Sequence, residues 1–276
     1  AMYSMRDNII YAGGVNEMLI ADAIIYPDSG LLNVVKDGVI ETLFNARILT
    51  NDLTQYHSFQ NAQIDIKSAN NYWASGDYLY KDAKNNTQDI FFNDIYVNQD
   101  TMTFAKGNIG EDASFLIGNK FNFKGSVELL SDQRDLIFDG YFKLNHSCSD
   151  ISREWINFRS QINVLDIVVD LGVEIYNEKD NILSSSLVFS SDSSDFYTTF
   201  LSRKNRPVDI SIIEASHKLS YDQKKDEFIV GGLDSLSNYY VLNNYTCNTR
   251  GRGEINLNVN LDRVNVKSIG EVTHDI

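Results

Sequence analysis

The sequence predicts a mostly β chain, with antiparallel stacked strands followed by a second β module carrying one short helix. Three observations predict it. Tyr and Phe number 15 each, and with Val and Ile they favour the pleated, half-buried surface of a strand. The 29 Asn, with Asp and 16 Gly, supply turns, including those that need positive φ. Prolines are only two, Pro27 and Pro207, and runs of Leu, Glu and Lys are missing, which speaks against a helical bundle.

The first half reads as short β segments cut by turns. Ile9-Ile10-Tyr11 precedes Gly13-Gly14. Met18-Leu19-Ile20 and Ala23-Ile24-Ile25-Tyr26 precede Pro27-Asp28-Ser29-Gly30. Residues 31–35 run into Asp37-Gly38, a hairpin signal. Residues 39–48, 63–66 and 78–80 follow, and Asn85-Asn86 separates the last from Ile90-Phe91-Phe92. Short strands at this spacing indicate a sandwich, barrel or solenoid. An internal echo supports repetition: Asp22-Ala23-Ile24, Asn45-Ala46-Arg47-Ile48, Asn61-Ala62-Gln63-Ile64 and Asn93-Asp94-Ile95. Its spacing is irregular, so stacked antiparallel rungs fit better than a uniform β-helix.

Two stretches alternate cleanly. Phe121, Phe123, Val127 and Leu129 form one apolar set, and Ile255, Leu257, Val259 and Leu261 form another. Each reads as a strand with one wet and one packed face. The phase slips before Val264, which predicts a turn or bulge at Asp262-Arg263. The helix is predicted over residues 151–162, capped by Ser149 or Asp150, with Ile151, Trp155, Phe158 and Ile162 on one face. The polar stretch before it, residues 145–149, marks a boundary between modules at 1–145 and 146–276. Residues 164–175 read as buried strand, and residues 184–194 carry a Ser/Asp-rich loop.

Composition excludes several function classes. With 276 residues, 43% apolar and 22% charged, the chain is no disordered polymer. Its 24 basic and 38 acidic side chains give 24 − 38 = −14. That charge opposes nucleic-acid binding, which draws affinity from Lys and Arg on phosphates. Charge-driven docking on an anionic bilayer is disfavoured likewise. No apolar run is long enough for a transmembrane helix. The start lacks a signal-peptide pattern; the chain reads as an excised domain, so its location is not legible there.

Catalytic and metal patterns are weak, and no catalytic residue is assigned. Gly251-Arg252-Gly253 is a fragment of a dinucleotide fingerprint and is followed by a strand, so no phosphate cradle forms. His146-Ser147-Cys148 is one close pair, and His57, His217 and His274 are scattered, short of a zinc set. Asp192 and Asp195 offer hard oxygens for calcium, without an EF-hand pattern; no other cofactor is indicated. Serine nucleophiles lack a GxSxG elbow. Carboxylates are plentiful, yet none stands out as a glycosidase pair.

Aromatic clusters are the best ligand candidates. Tyr72, Trp73, Tyr78 and Tyr80 form one, and Tyr239, Tyr240 and Tyr245 another. Exposed rings there would stack on sugars, whereas buried ones would be cross-strand packing. Arg203, Lys204 and Arg206 form a basic cluster, either a solvated loop or a dock for an anionic head group. The two cysteines, Cys148 and Cys247, are either one disulfide closing about 100 residues or two buried thiols. Sequons begin at Asn85, Asn145 and Asn244, near the number chance gives.

The strand order in "NIIYAGGVNEMLIADAIIYPDSGLLNV" resembles the OstA-like repeats of lipopolysaccharide-transport proteins. That resemblance implies a β-jelly roll with an apolar interior groove. The stretches "NNYWASGDYLY", "IFFNDIYV", "FNFKGSVELL", "LIFDGYFKLNHSC" and "GRGEINLNVNL" resemble large envelope proteins of Bacteroidetes. This second resemblance covers about residues 9–270. It implies a periplasmic or outer-membrane setting, one that permits a Cys148–Cys247 disulfide. The expectation is a non-enzymatic envelope structural or interaction module, partnered by other β-repeat segments. The alternative is a lipid or glycan carrier holding its ligand between sheets.

Overall fold

A computed structural model describes residues 1–4, 9–35, 38–232, 237–256, 260–261, 264–265 and 268–275. It is nearly all antiparallel β and divides into two units. The first comprises residues 1–115 and 124–139, the second 116–123 and 140–276.

The chain opens with β1 (Met2–Ser4), β2 (Ile9–Gly13), β3 (Met18–Ile20), β4 (Ala23–Tyr26) and β5 (Leu31–Val34). Next come β6 (Leu43–Thr50), β7 (His57–Ser68), β8 (Asn71–Lys81), β9 (Thr87–Val97) and β10 (Thr103–Ile109). Then follow β11 (Leu116–Gly118), β12 (Phe121–Leu130) and β13 (Ile137–Leu144). Most of the first unit is one antiparallel sheet in the order β3-β4-β6-β7-β8-β9-β10-β12, while β1, β2 and β5 pair separately. Sequence neighbours are sheet neighbours through most of it, as short polar turns require.

This sheet curls, and the cause is local. The register shifts at Ala46 in β6, between Gln60 and Gln63 in β7, between Ala74 and Gly76 in β8, and between Lys106 and Gly107 in β10. Each shift is a bulge, which bends the strand and deepens its twist. Asn45 and Asn61 take positive φ of 53° and 51° there, a conformation Asn tolerates better than most residues. Small residues follow on the inner side: Ala46 and Ala62 are fully buried and paired across strands. A Cβ on Gly107 would come within 2.7 Å of the Phe91 carbonyl oxygen. The echo seen in the sequence is therefore partly a bend line across the sheet, built where two strands must bulge.

Inside the curl, Phe59, Tyr72, Phe92, Ile64 and Ile95 are fully buried. Polar clamps close it. Asp22, in the β3–β4 turn, accepts from the Thr103 amide (2.9 Å), the Thr103 hydroxyl (2.6 Å) and the Ser131 hydroxyl (2.5 Å). Buried His57 bonds the Gln133 carbonyl through Nε2 (2.7 Å) and the Tyr78 hydroxyl through Nδ1 (3.0 Å). A carbonyl only accepts, so Nε2 carries the proton and donates it, and Nδ1 accepts the hydrogen bond of the tyrosine hydroxyl. Burial holds this imidazole neutral by lowering its pKa.

The second unit contains β14 (Ile156–Gln161), β15 (Val168–Gly172), β16 (Ile175–Tyr176), β17 (Ile182–Ser190) and β18 (Asp195–Ser202). It continues with β19 (Ile210–Ala215), β20 (His217–Asp222), β21 (Glu227–Gly231), β22 (Tyr239–Asn243) and β23 (Thr249–Ile255). Last come β24 (Asn260–Leu261), β25 (Val264–Asn265) and β26 (Ser268–His274). One sheet runs β15-β20-β21-β22-β23-β26, and another places β16, β18 and β19 around β17. They meet where Phe200 contacts Phe228 and Tyr240, and where the Thr198 hydroxyl bonds those of Tyr240 and Thr249, each at 3.0 Å. Burying Ser184, Ser186 and Thr199 is permitted because their hydroxyls bond one another at 2.9 Å.

The predicted helix over 151–162 is corrected. Residues 153–155 are irregular and Ile156–Gln161 is strand β14. Phe158 and Ile162 are both buried, but their spacing of four fits period two as well as a helical turn. Buried Ile156, which the helical reading left off its face, decides for alternation. The buried stretch read over 164–175 narrows to β15, with β16 beginning at its end. Asp37 of the first hairpin signal, Leu257 and Val259 of the last alternation, and the turn at Asp262-Arg263 lie outside the described residues.

Candidate functional site

Strand β8 sorts the first aromatic cluster by parity. Tyr72, Ala74, Gly76, Tyr78 and Tyr80 point inward, and Trp73, Asp77 and Leu79 point outward. Tyr72 is fully buried and bonds the Thr103 hydroxyl (2.7 Å). Tyr80 lies against Phe115 and Phe138. Tyr78 holds His57. Burial raises the phenol pKa of all three, that of Tyr78 to about 12. Tyr72 and Tyr80 are core residues, and Tyr78 is half-buried with its hydroxyl committed to His57. Trp73, 50% exposed, is the most open of the four.

Trp73 heads a cross-strand ladder that the sequence reading missed. Register pairs Asp65 of β7 with Trp73, Trp73 with Tyr96 of β9, Tyr96 with Phe104 of β10, and Phe104 with Leu130 of β12. The Trp73 and Tyr96 rings lie 5.0 Å apart and 20° from parallel, an offset face-to-face stack. Phe104 lies against Tyr96 at 5.3 Å. Tyr96 thus has a ring on both sides, while Trp73, half exposed, has its ring partner on the β9 side and Asp65 across from it on β7. The missing signal was register: Tyr96 and Trp73 are distant in sequence, and only strand pairing brings them together.

On the β7 side the ladder meets a cleft. A space of about 910 Å³ opens between residues 38–44 and residues 65–69. Glu41, Thr42, Phe44, Asp65, Lys67 and Ser68 are among its lining. The Thr42 hydroxyl donates to Asp65 Oδ1 at 2.5 Å, fixing the carboxylate. Asn33 donates to Glu41 at 2.9 Å. Asp65 therefore belongs to both features: it lines the cleft and stands opposite Trp73.

Most of the remaining candidates are buried or held by structural bonds. In the second cluster Tyr240 is fully buried, Tyr239 half-buried and Tyr245 exposed. Arg203 pairs with Glu154 (3.1 Å), Arg206 with Asp192, and Lys204 reaches the Asp209 carbonyl (3.4 Å). The basic cluster is thereby bonded to its own chain. Asp195 accepts from the Phe196 amide. Among the described residues, no group of three or more His, Cys, Asp or Glu is placed to hold a metal. Cys148 and Cys247 form a disulfide across 99 residues, with Cα atoms 5.4 Å apart. Asn244 is bound in the same knot: its side chain accepts from the Ser147 amide and donates to Asp226. It is buried, so this sequon is not open to modification. His146 is buried beside it, and desolvation with nearby Arg153 and Lys120 lowers its pKa to about 4.

Comparison with protein families, curated proteins and solved structures found no match to this chain.

Proposed function

We propose that the chain is a non-enzymatic structural and interaction module of a cell envelope, exported to an oxidising compartment. The observation that carries this reading is the division of the first unit's sheet. Its inner face is filled by its own aromatics, and its outer face carries the Trp73–Tyr96–Phe104 ladder, half-buried except for exposed Trp73. A ligand held between sheets would compete with Phe59, Tyr72 and Phe92 for their space, so recognition belongs on the outer face. The disulfide supports the compartment, because such bonds persist where thiols are not kept reduced. The resemblance to OstA-like repeats and to Bacteroidetes envelope proteins enters as a proposal of the same kind. The test is retention of the exported protein on insoluble envelope polysaccharides, neutral and anionic, with mass spectrometry of the supernatant. Retention without released fragments supports the module. Released fragments make it an enzyme, and absence of retention on every polymer overturns the interaction reading.

A further inference from the structure

We propose that the corner between Trp73 and Asp65 binds a neutral oligosaccharide, a site that rests on the interaction reading and gives its ligand a class. The open face of an indole accepts the axial C–H face of a pyranose ring, which is apolar and slightly positive, while the ring edge bears hydroxyls. Those hydroxyls need acceptors and donors close to the stacking plane. Here they are provided: Asp65 stands opposite Trp73 on the neighbouring strand, and Thr42, Ser68, Lys67 and Glu41 line the cleft beyond it. Thr42 occupies Asp65 Oδ1, which orients Oδ2 for a ligand hydroxyl. Tyr96 stacks behind Trp73 and keeps the indole from rotating, so less ordering remains to be done on binding.

Charge selects among sugars. Among the described residues the cleft lining carries two carboxylates, Glu41 and Asp65, against one ammonium, Lys67, on a chain of net charge −14. A uronic or phosphorylated chain would meet repulsion there, whereas an uncharged one would not. The cleft is large enough for more than one ring, and apolar Phe44, 61% exposed, offers a second apolar surface at its edge. A concave space with one apolar wall and a few placed polar groups is the usual form of a small-molecule site.

The experiment is calorimetric titration of the disulfide-bonded chain with cellohexaose, a neutral β-linked oligomer, and with an oligogalacturonate of equal length. Wild type, Trp73→Ala, Asp65→Asn and a distant control, Leu53→Ala, are compared. Leu53 is 89% exposed and lies outside the cleft. The expected result is binding of the neutral oligomer, weakened about tenfold or more by Trp73→Ala and severalfold by Asp65→Asn, with Leu53→Ala unchanged. Circular dichroism of each variant separates loss of binding from loss of fold. Equal binding by wild type and Trp73→Ala overturns the site, as does preference for the anionic oligomer. Both of those outcomes leave the interaction reading standing. Absence of retention on every polymer tested above sinks that reading as well.

Discussion

Replacing both cysteines by serine, Cys148→Ser with Cys247→Ser, isolates the largest single covalent constraint on the second unit. The bridge spans 99 residues, all within that unit. In the chain-entropy treatment a loop of this size restricts the unfolded ensemble by about 4.7 kcal/mol at 25 °C. For a unit of this size, each kcal/mol moves the melting midpoint by roughly 2–4 °C, so the variant should melt roughly 10–20 °C lower. The chain's two tryptophans supply the assay. Trp73 lies in the first unit and Trp155 in the second. With Trp73→Phe in the background, Trp155 fluorescence reports the second unit through a urea or thermal scan. Reduction of the intact protein should reproduce the effect of the double variant. A midpoint within about 1 kcal/mol of the oxidised protein would refute the reasoning, because the bridge would then close a loop already ordered without it.

Three further outcomes follow from the same geometry. Asp22→Ala removes a carboxylate that accepts three hydrogen bonds and links the β3–β4 turn to Thr103 and Ser131; urea unfolding read through Trp73 should show a loss of about 3–5 kcal/mol, and a loss below about 1 would show the clamp to be incidental. Gly107→Ala drives a methyl against the Phe91 carbonyl and should cost about 1–3 kcal/mol in the same assay, whereas Gly110→Ala, with φ at −77° and open space around its Cβ, meets no such clash. Acid should weaken the second unit through His146. Its pKa in the fold is about 4, against about 6.5 unfolded, so the unfolded state takes up the proton first as pH falls. This contribution is intact above pH 6.5 and is lost between there and pH 4, by up to about 3 kcal/mol. His146→Leu should flatten that part of the urea-midpoint profile, and an unchanged slope would assign the acid sensitivity elsewhere.

Much of the β character was legible because strand physics is local. Alternation in Phe121, Phe123, Val127 and Leu129 states which side is wet, and all four are buried. Parity along β8 was equally present: Tyr72, Tyr78 and Tyr80 share one phase and Trp73 the other. Reading the four as one cluster mixed two faces of a sheet: Tyr72 and Tyr80 are core, Tyr78 is half-buried, and Trp73 is exposed. Ambiguity entered where a spacing fits two periods. Phe158 and Ile162 satisfy a helix and a strand alike, and burial of Ile156 broke the tie. The repeated Asn-Ala pattern was visible as repetition, while its meaning as a bend became clear only with the register shifts beside Ala46 and Ala62.

By itself, then, the sequence determined the strand-rich class, the acidic surface and the alternation of most strands, since these depend on residue type and on neighbours one or two positions away. Tertiary structure alone decided three things. It joined Cys148 to Cys247, bent the first sheet until Asp22 reached Ser131, and set Asp65, Trp73, Tyr96 and Phe104 in one row. Each depends on the pairing of distant segments, and a shift of one residue in any register would send those side chains to the opposite face.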